Sequence, residues 1–341
     1  MAAASACGQT LKGVDVYRTG QLSSEAVVAR LGSLPDEYAR LCVQGRDRPA
    51  ARLKKRMEAK VRAMGHFAFV ELYCGQYANS AGRSAFLTFD LVDAADARAR
   101  LPFHAAPVGR FSDPGGLLEA WKRYDATGIK QSAQGYIDDD AHPRCPGFYC
   151  RWGAPTKELA GLQDKLAAGA EPNKAALSVI AGADSDPRNR AAALYALSYA
   201  KDGADLAKLM LLSLDDPAPE PRAAALDVLS DLALYHKDIA IDLGRVAPVL
   251  DYPTVSDRAK AAALLLAKAQ DPSARPALLS QAVPRLLPLL KLFQPSNHDP
   301  AFTILTMLSG ESYDGRDYAS WEKWIETQGS TASNRSPNDE H

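Results

Sequence analysis

The chain has 341 residues, enough for two ordinary domains, and its 47% hydrophobic and 24% charged content is that of a soluble globular protein. A formal net charge of −1 excludes a nucleic-acid binder that works through bulk positive charge. No stretch approaches the roughly 20 consecutive apolar residues that a membrane-spanning helix needs, so no transmembrane segment is expected.

The opening MAAASACGQT is small and apolar but has no basic leader and no long apolar core, so it is not an intact signal peptide. It reads either as the start of a mature exported chain behind an added Met or as a plain cytosolic start, and residues 1–22 are taken as an N-terminal extension. Ser23 and Ser24 can cap a first helix, and Pro35 opens a second, PDEYARLCVQ. A third is expected from Pro49 to Met64, where Leu53, Met57 and Val61 recur every four residues. Eight Lys or Arg residues against two acids lie between Arg46 and Arg62. They suit a solvated helix face, the alternative being an anionic-surface contact through Arg52, Lys54, Lys55 and Arg56.

Two strands follow, His66–Cys74 and Ser84–Val92, rich in aromatic and β-branched residues and joined by GQYANSAGR as a long hairpin loop. Asp93–Arg100 reads as a short helix, and LPFHAAPVG as irregular. Asp113-Pro114 starts a further helix that Gly128 can close. Residues 23–152 are thus expected to form a small α+β domain, its helices packed on an antiparallel sheet. The segment Gly135–Pro155 has linker or cap chemistry: Gly, Pro, three successive Asp residues, and the HPRCPGFYC loop.

From Thr156 to Thr327 a helical pattern recurs. Asp186-Pro187 leads to Arg190 and AAALYAL, Asp216-Pro217 to Arg222 and AAALDVL, and Asp251-Tyr-Pro253 to Arg258 and AKAAALLLA. The arginines are 32 and then 36 residues apart, and Asp299-Pro300 opens a later AFTILTML. A period of this size, with two helices per unit, is that of an α-solenoid. Asp caps the first turn, Pro suits the first helical position, and alanines let neighbouring helices approach. Asp186, Pro187, Arg190, Ala193 and Leu194, then Asp216, Pro217, Arg222, Ala225 and Leu226, resemble the HEAT-repeat family, particularly its bacterial phycobilisome-lyase-like members. The resemblance covers about half the chain. It implies a mainly α protein, with a HEAT-like solenoid at 153–328 behind the α+β domain, and it is almost silent on function. The chain departs from the pattern at Asp251-Tyr-Pro253 and at Pro284 and Pro288, where bent or shortened units are expected. The segment containing Gly310, Asp314, Trp321 and Trp324 resembles the end of such proteins, and its two tryptophans, three residues apart, would cap the last repeat. Residues 329–341 read as a disordered tail. The segments FVELY, FDLVD, LPF and DPGGLLEAW resemble an uncharacterised domain that precedes HEAT repeats in exported bacterial proteins.

The five cysteines, Cys7, Cys42, Cys74, Cys145 and Cys150, include no C-x-x-C motif, so a zinc site has little support. Cys145 and Cys150 flank PGFY, which can turn tightly enough for a disulfide. Such a bridge points to a periplasmic or secreted protein, the alternative being a cytoplasmic one with buried thiols. Cys42 and Cys74 are a possible second pair.

None of the common catalytic signatures is present: no G-x-S-x-G, H-E-x-x-H, P-loop or G-x-G-x-x-G. The densest polar constellation is Glu71, Asp90, Asp93, Asp96, His104 and Asp113, with Asp138–Asp140 and His142 as a second acidic group. These read as caps and solvated loops rather than a cation site. Glu71 and Asp90 sit inside apolar strands. If both face a buried side, desolvation would raise their pKa values and favour a functional site. The expectation is therefore a non-catalytic binding or scaffold protein that offers a helical-repeat surface to a protein partner, without cofactor or metal. The alternative is a ligand-binding protein or hydrolase-type enzyme, its site formed by Glu71, Tyr73, Asp90, His104 and Trp121.

Overall fold

A computed structural model describes residues 10–79, 82–137 and 145–333. The protein is mainly helical, with a small three-stranded sheet. In chain order the elements are β1 (Leu11–Tyr17), α1 (Ser24–Leu31), α2 (Leu34–Val43), α3 (Asp47–Arg62), β2 (Phe67–Asn79), β3 (Gly82–Asp93), α4 (Ala97–Arg100) and α5 (Leu117–Ala133). Then come α6 (Lys157–Ala170), α7 (Lys174–Ala183), α8 (Pro187–Leu197), α9 (Gly203–Leu212), α10 (Pro219–Tyr235) and α11 (Leu243–Val246). The last are α12 (Val255–Ala269), α13 (Arg275–Ala277), α14 (Val283–Leu290), α15 (Pro295–Ser309) and α16 (Tyr318–Ser333).

These elements form two compact units. A sheet unit combines Met1–Pro102, Leu250–Ala262 and Arg275–His341, and a helical unit combines Phe103–Val249 and Ala263–Ala274. Helix α12 contributes to both. The boundary expected between residues 152 and 153 falls inside the helical unit.

In the sheet unit the strand order is β1-β3-β2. The sheet is mixed rather than antiparallel: β1 runs parallel to the central β3, and β2 antiparallel to it. Residues 11–17, expected within an extension, are its third strand. Both hairpin strands are longer than expected, so most of GQYANSAGR is ladder and not loop, with residues 80–81 outside the described residues. One face packs Val14, Val16, Val70, Leu72, Leu87, Phe89 and Leu91 against Val27, Leu31, Tyr38, Leu53, Met57 and Val61 of α1–α3. The free edge of β2 is partly covered, since Glu58 accepts from the Leu72 N–H at 2.9 Å. Ser23 caps α1, its hydroxyl accepting from the Ala26 N–H.

The helical unit holds no strand among its described residues, only an isolated bridge between Gly109 and Asp184. Helix α8 packs against α7, α5 and α10. Its Ala191, Ala192, Ala193, Leu194, Ala196 and Leu197 are all buried. A helix apolar on most sides can be enclosed on most sides, and alanines permit the close approach. Asp186 caps α8 from the position before Pro187, as its spacing predicts. Asp113 accepts the Leu118 and Glu119 N–H groups at the start of α5, at 2.9 and 3.0 Å.

Gly128 does not close α5, which continues to Ala133. The absent side chain instead seats Trp152: a Cβ at Gly128 would stand 2.2 Å from the indole. The Trp152 Nε1–H donates to Asp125 and its backbone N–H to the Tyr124 hydroxyl, each at 3.1 Å. Asp299-Pro300 likewise opens no helix but lies inside α15. Leu278–Ala282, just before Pro284, is a π-helical segment, and Pro288 lies inside α14 without ending it. Helix α16 runs to Ser333, past the expected start of the tail, and residues 334–341 lie outside the described residues.

Candidate functional site

The second face of the sheet is polar. Register places Asp15 beside Thr88 and Tyr17 beside Asp90, with Glu71 and Tyr73 opposite Asp90 and Thr88 on β2. Asp15, Tyr17, Thr88 and Asp90 are buried, whereas Tyr73 is 37% exposed and Glu71 is half-exposed and paired with Lys54 at 3.3 Å. This face receives residues from the far end of the chain. Arg258 on α12 donates to Asp90 at 2.7 Å, to Asn297 at 3.1 Å and to the Tyr252 carbonyl at 2.8 Å. Its guanidinium lies 3.8 Å from the Tyr17 ring centroid. Burial pushes the Asp90 carboxyl up to about 7, against the lowering pull of Arg258. Asp15 accepts the N–H groups of Phe293 and Gln294 at 2.9 and 3.1 Å, and burial raises it to about 6. A pocket of about 410 Å³ beside it is lined by Tyr17, Arg18, Glu25, Lys291 and Phe293. Both Asp15 oxygens accept backbone amides, so the carboxylate, which also lines this pocket, fastens β1 to the start of α15.

Glu71, Tyr73 and Asp90 are neighbours in the sheet unit, but His104 and Trp121 belong to the helical unit. The His104 backbone N–H donates to the Asp215 carbonyl at 2.9 Å. Trp121 is 4% exposed and stacks on Tyr195, ring centroids 4.3 Å apart. Tyr149 stacks on the same tyrosine at 5.3 Å. The Tyr195 hydroxyl donates to Asp227 on α10 at 2.8 Å. Asp231, one turn further along α10, is half-buried, and desolvation followed by the Asp227 charge raises it to about 7. Tyr195, Asp227 and Asp231 carry a sequence signal that motif searching passes over. Tyr195 and Asp227 each lie five residues beyond a repeat arginine, and Asp227 and Asp231 share a helix face by their i, i+4 spacing.

Compared with family profiles, curated proteins and solved structures, the chain matches none. Among the described residues no group of three or more His, Cys, Asp or Glu side chains is placed to hold a metal ion. Asp138–Asp140, His142 and Cys7 lie outside the described residues. No helix among the described residues is long and apolar enough to cross a membrane.

Three helix-start arginines share one geometry. Arg190, Arg222 and Arg258 each donate Nη1 to the carbonyl six residues earlier, of Asp184, Asp216 and Tyr252, at 2.7, 2.8 and 2.8 Å. Arg190 also pairs with the Asp216 carboxylate at 2.6 Å, and Arg222 lies 4.3 Å from the Phe103 ring centroid. Trp321 is fully buried among Tyr313, Phe302 and Trp324 and donates Nε1–H to the Asp314 carbonyl at 3.0 Å, while Trp324 is half-buried. Cys145 and Cys150 are at disulfide distance, Cα to Cα 5.4 Å. Their loop rests on the turn after α8, with the Phe148 N–H donating to the Ser198 carbonyl at 2.7 Å.

Proposed function

We propose that the protein is a non-catalytic binding protein whose HEAT-like helical repeats present a surface to a protein partner. The observation that carries this reading is the bond between Tyr195 and Asp227. These residues are 32 apart, the spacing of Arg190 and Arg222, and they meet at 2.8 Å. Equivalent positions of α8 and α10 thus face each other, as in helices stacked by translation from one repeat to the next. The shared bonding of Arg190 and Arg222 supports the same reading.

A stack of this kind offers repeated surface positions. Val179 on α7 and Leu212 on α9 are 33 residues apart and 52% and 64% exposed. Large apolar side chains left in water on successive repeats suit a partner that covers them. The Asp90–Arg258 pair and the Asp15 bonds serve internal fastening, which favours binding over hydrolysis in the sheet unit. The Cys145–Cys150 pair supports an oxidising, exported location.

The test immobilises the full chain and a Val179→Asp/Leu212→Asp chain, confirmed as folded by circular dichroism, and exposes both to host extract after crosslinking. A protein retained by the parent and lost from the variant is expected. Equal retention by the two would remove this surface from the proposal.

A further inference from the structure

Strand β1 is an edge of the sheet, joined to β3 on one side only. In a parallel ladder alternate residues direct their N–H and C=O groups to the neighbouring strand, and the residues between direct theirs away. Among the described residues, no hydrogen bond beyond that ladder engages the backbone from Gly13 to Tyr17. The other edge differs, since Glu58 takes the Leu72 N–H of β2. Unpaired groups along an edge are a template for a further strand.

The cavity of about 410 Å³ runs along this edge. It touches Asp15, Val16, Tyr17 and Arg18 in succession. Their side chains alternate between the two faces of the sheet, so the free edge is what all four share. The layers packed on both faces extend past it. On one face Val16 packs against the cluster that holds Val27 and Leu31, and α1 adds Glu25 to the cavity wall. On the other face the wall is Leu287, Lys291 and Phe293, anchored where Asp15 accepts the Phe293 and Gln294 amides. Phe293 is 45% exposed. The result is a slot with a strand edge as its floor. Lys291 and Glu25 are exposed and make no ion pair among the described residues, whereas Arg18 is paired with Asp251.

We propose that the free edge of β1 seats an extended segment of a partner protein, which joins the sheet as a fourth strand. Main-chain bonds to β1 hold the segment, and the side walls select its sequence. Its side chains alternate between the walls. Those on one side meet Leu287, Phe293 and the unpaired Lys291 and are apolar residues with an acid among them. Those on the other side meet α1 and the unpaired Glu25 and include a base. Acid and base therefore stand an odd number of positions apart in the segment. The site lies in the sheet unit and does not depend on the Val179 and Leu212 surface.

The experiment selects random dodecapeptides displayed on phage against the full chain and synthesises the most enriched one. That peptide is expected to show the alternating pattern and to slow hydrogen exchange of the β1 amides. Two further versions carry N-methyl groups on alternate amides, one in each register. A strand bonded along one edge loses binding in one register and keeps it in the other. Lys291→Glu, a change at an exposed side chain, is expected to weaken the peptide about fivefold, and changing the peptide's acid to lysine to recover it. A library that yields no binder overturns the proposal. So does a binder whose two methylated forms behave alike, or one that Lys291→Glu leaves unchanged. A binder lost from the Val179→Asp/Leu212→Asp chain belongs to the repeat surface and also counts against it.

Discussion

Arg190 and Asp216 form a buried bidentate ion pair, Nε and Nη2 of the arginine donating to the two carboxylate oxygens at 2.7 and 2.6 Å. The same aspartate accepts the Ala218 N–H on its side chain at 2.8 Å, and its carbonyl accepts from Arg222 at 2.8 Å. Asp216 thus joins Arg190 on α8 to Arg222 on α10. It is not simply a helix cap, since α10 begins at Pro219 and its first turn takes no side-chain bond from Asp216.

Truncating Asp216 leaves Arg190 charged and buried, its side chain only 2% exposed. Breaking one half of a buried pair costs about 3–5 kcal/mol, whereas loss of a simple N-cap costs about 0.5–2 kcal/mol. Asp216→Ala is therefore expected to destabilise the helical unit more than Asp186→Ala, whose residue caps α8 with an exposed arginine beside it. Urea unfolding of the two variants decides it. Equal midpoints would mean that the Arg190 pair adds nothing beyond the cap.

Gly128 sets two effects against each other. Alanine in a helix interior is favoured over glycine by about 1 kcal/mol. A Cβ at this position would stand 2.2 Å from the Trp152 ring, which is held by its bonds to Asp125 and Tyr124. Overpacking of this kind costs about 1–3 kcal/mol. Gly128→Ala is expected to lower the melting temperature, and Trp152→Ala to relieve the clash in a double-mutant cycle. A Gly128→Ala protein as stable as the parent would show that Trp152 moves aside freely.

Much of the local structure was legible in the sequence. Leu53, Met57 and Val61 show their buried face by spacing alone, and Ser23 and Asp186 announce their helices, because caps and periodicity act within a few residues. Strand β1 was not legible. Val14 and Val16 alternate with Asp15 and Tyr17, a weak signal, and the polar members are satisfied only 278, 279 and 233 residues away, at Phe293, Gln294 and Leu250. Asp90 posed the same difficulty: the partner that buries it is Arg258, which the repeat pattern explains as a helix-start residue. Gly128 read as a stop because nothing near it in sequence shows that Trp152 fills the space.

The Cys145–Cys150 bridge closes a short loop that is also held by packing. Phe148 lies edge-on to His236 at 5.0 Å, and Ser198 Oγ donates to the Tyr149 carbonyl at 3.2 Å. A loop this small gives an entropic contribution of about 2 kcal/mol. Replacing both cysteines by serine is expected to cost no more than that and to leave far-ultraviolet circular dichroism unchanged. A wholesale loss of helix would mean that the bridge, and not the packing of Phe148 and Tyr149, holds the turn after α8.

Asp231 gives the helical unit a pH dependence with an unusual sign. Desolvation, helped by the Asp227 charge, raises its carboxyl to about 7 in the folded protein, against about 3.9 for an ordinary aspartate in the unfolded chain. Between those values the folded state holds a proton that the unfolded state has lost, so ν_U − ν_N is negative and stability falls as pH rises. The common acid response, in which paired carboxylates lose stability as pH falls, has the opposite slope. Asp231→Asn removes the titration and keeps the shape. The difference in unfolding free energy between parent and Asp231→Asn is therefore expected to shift against the parent as pH is raised from about 4 to about 7, and to level off above. Denaturant unfolding at four or five pH values, followed by tryptophan fluorescence, measures it. A difference independent of pH across that window would show that Asp231 titrates like an exposed aspartate, and that neither burial nor Asp227 perturbs it.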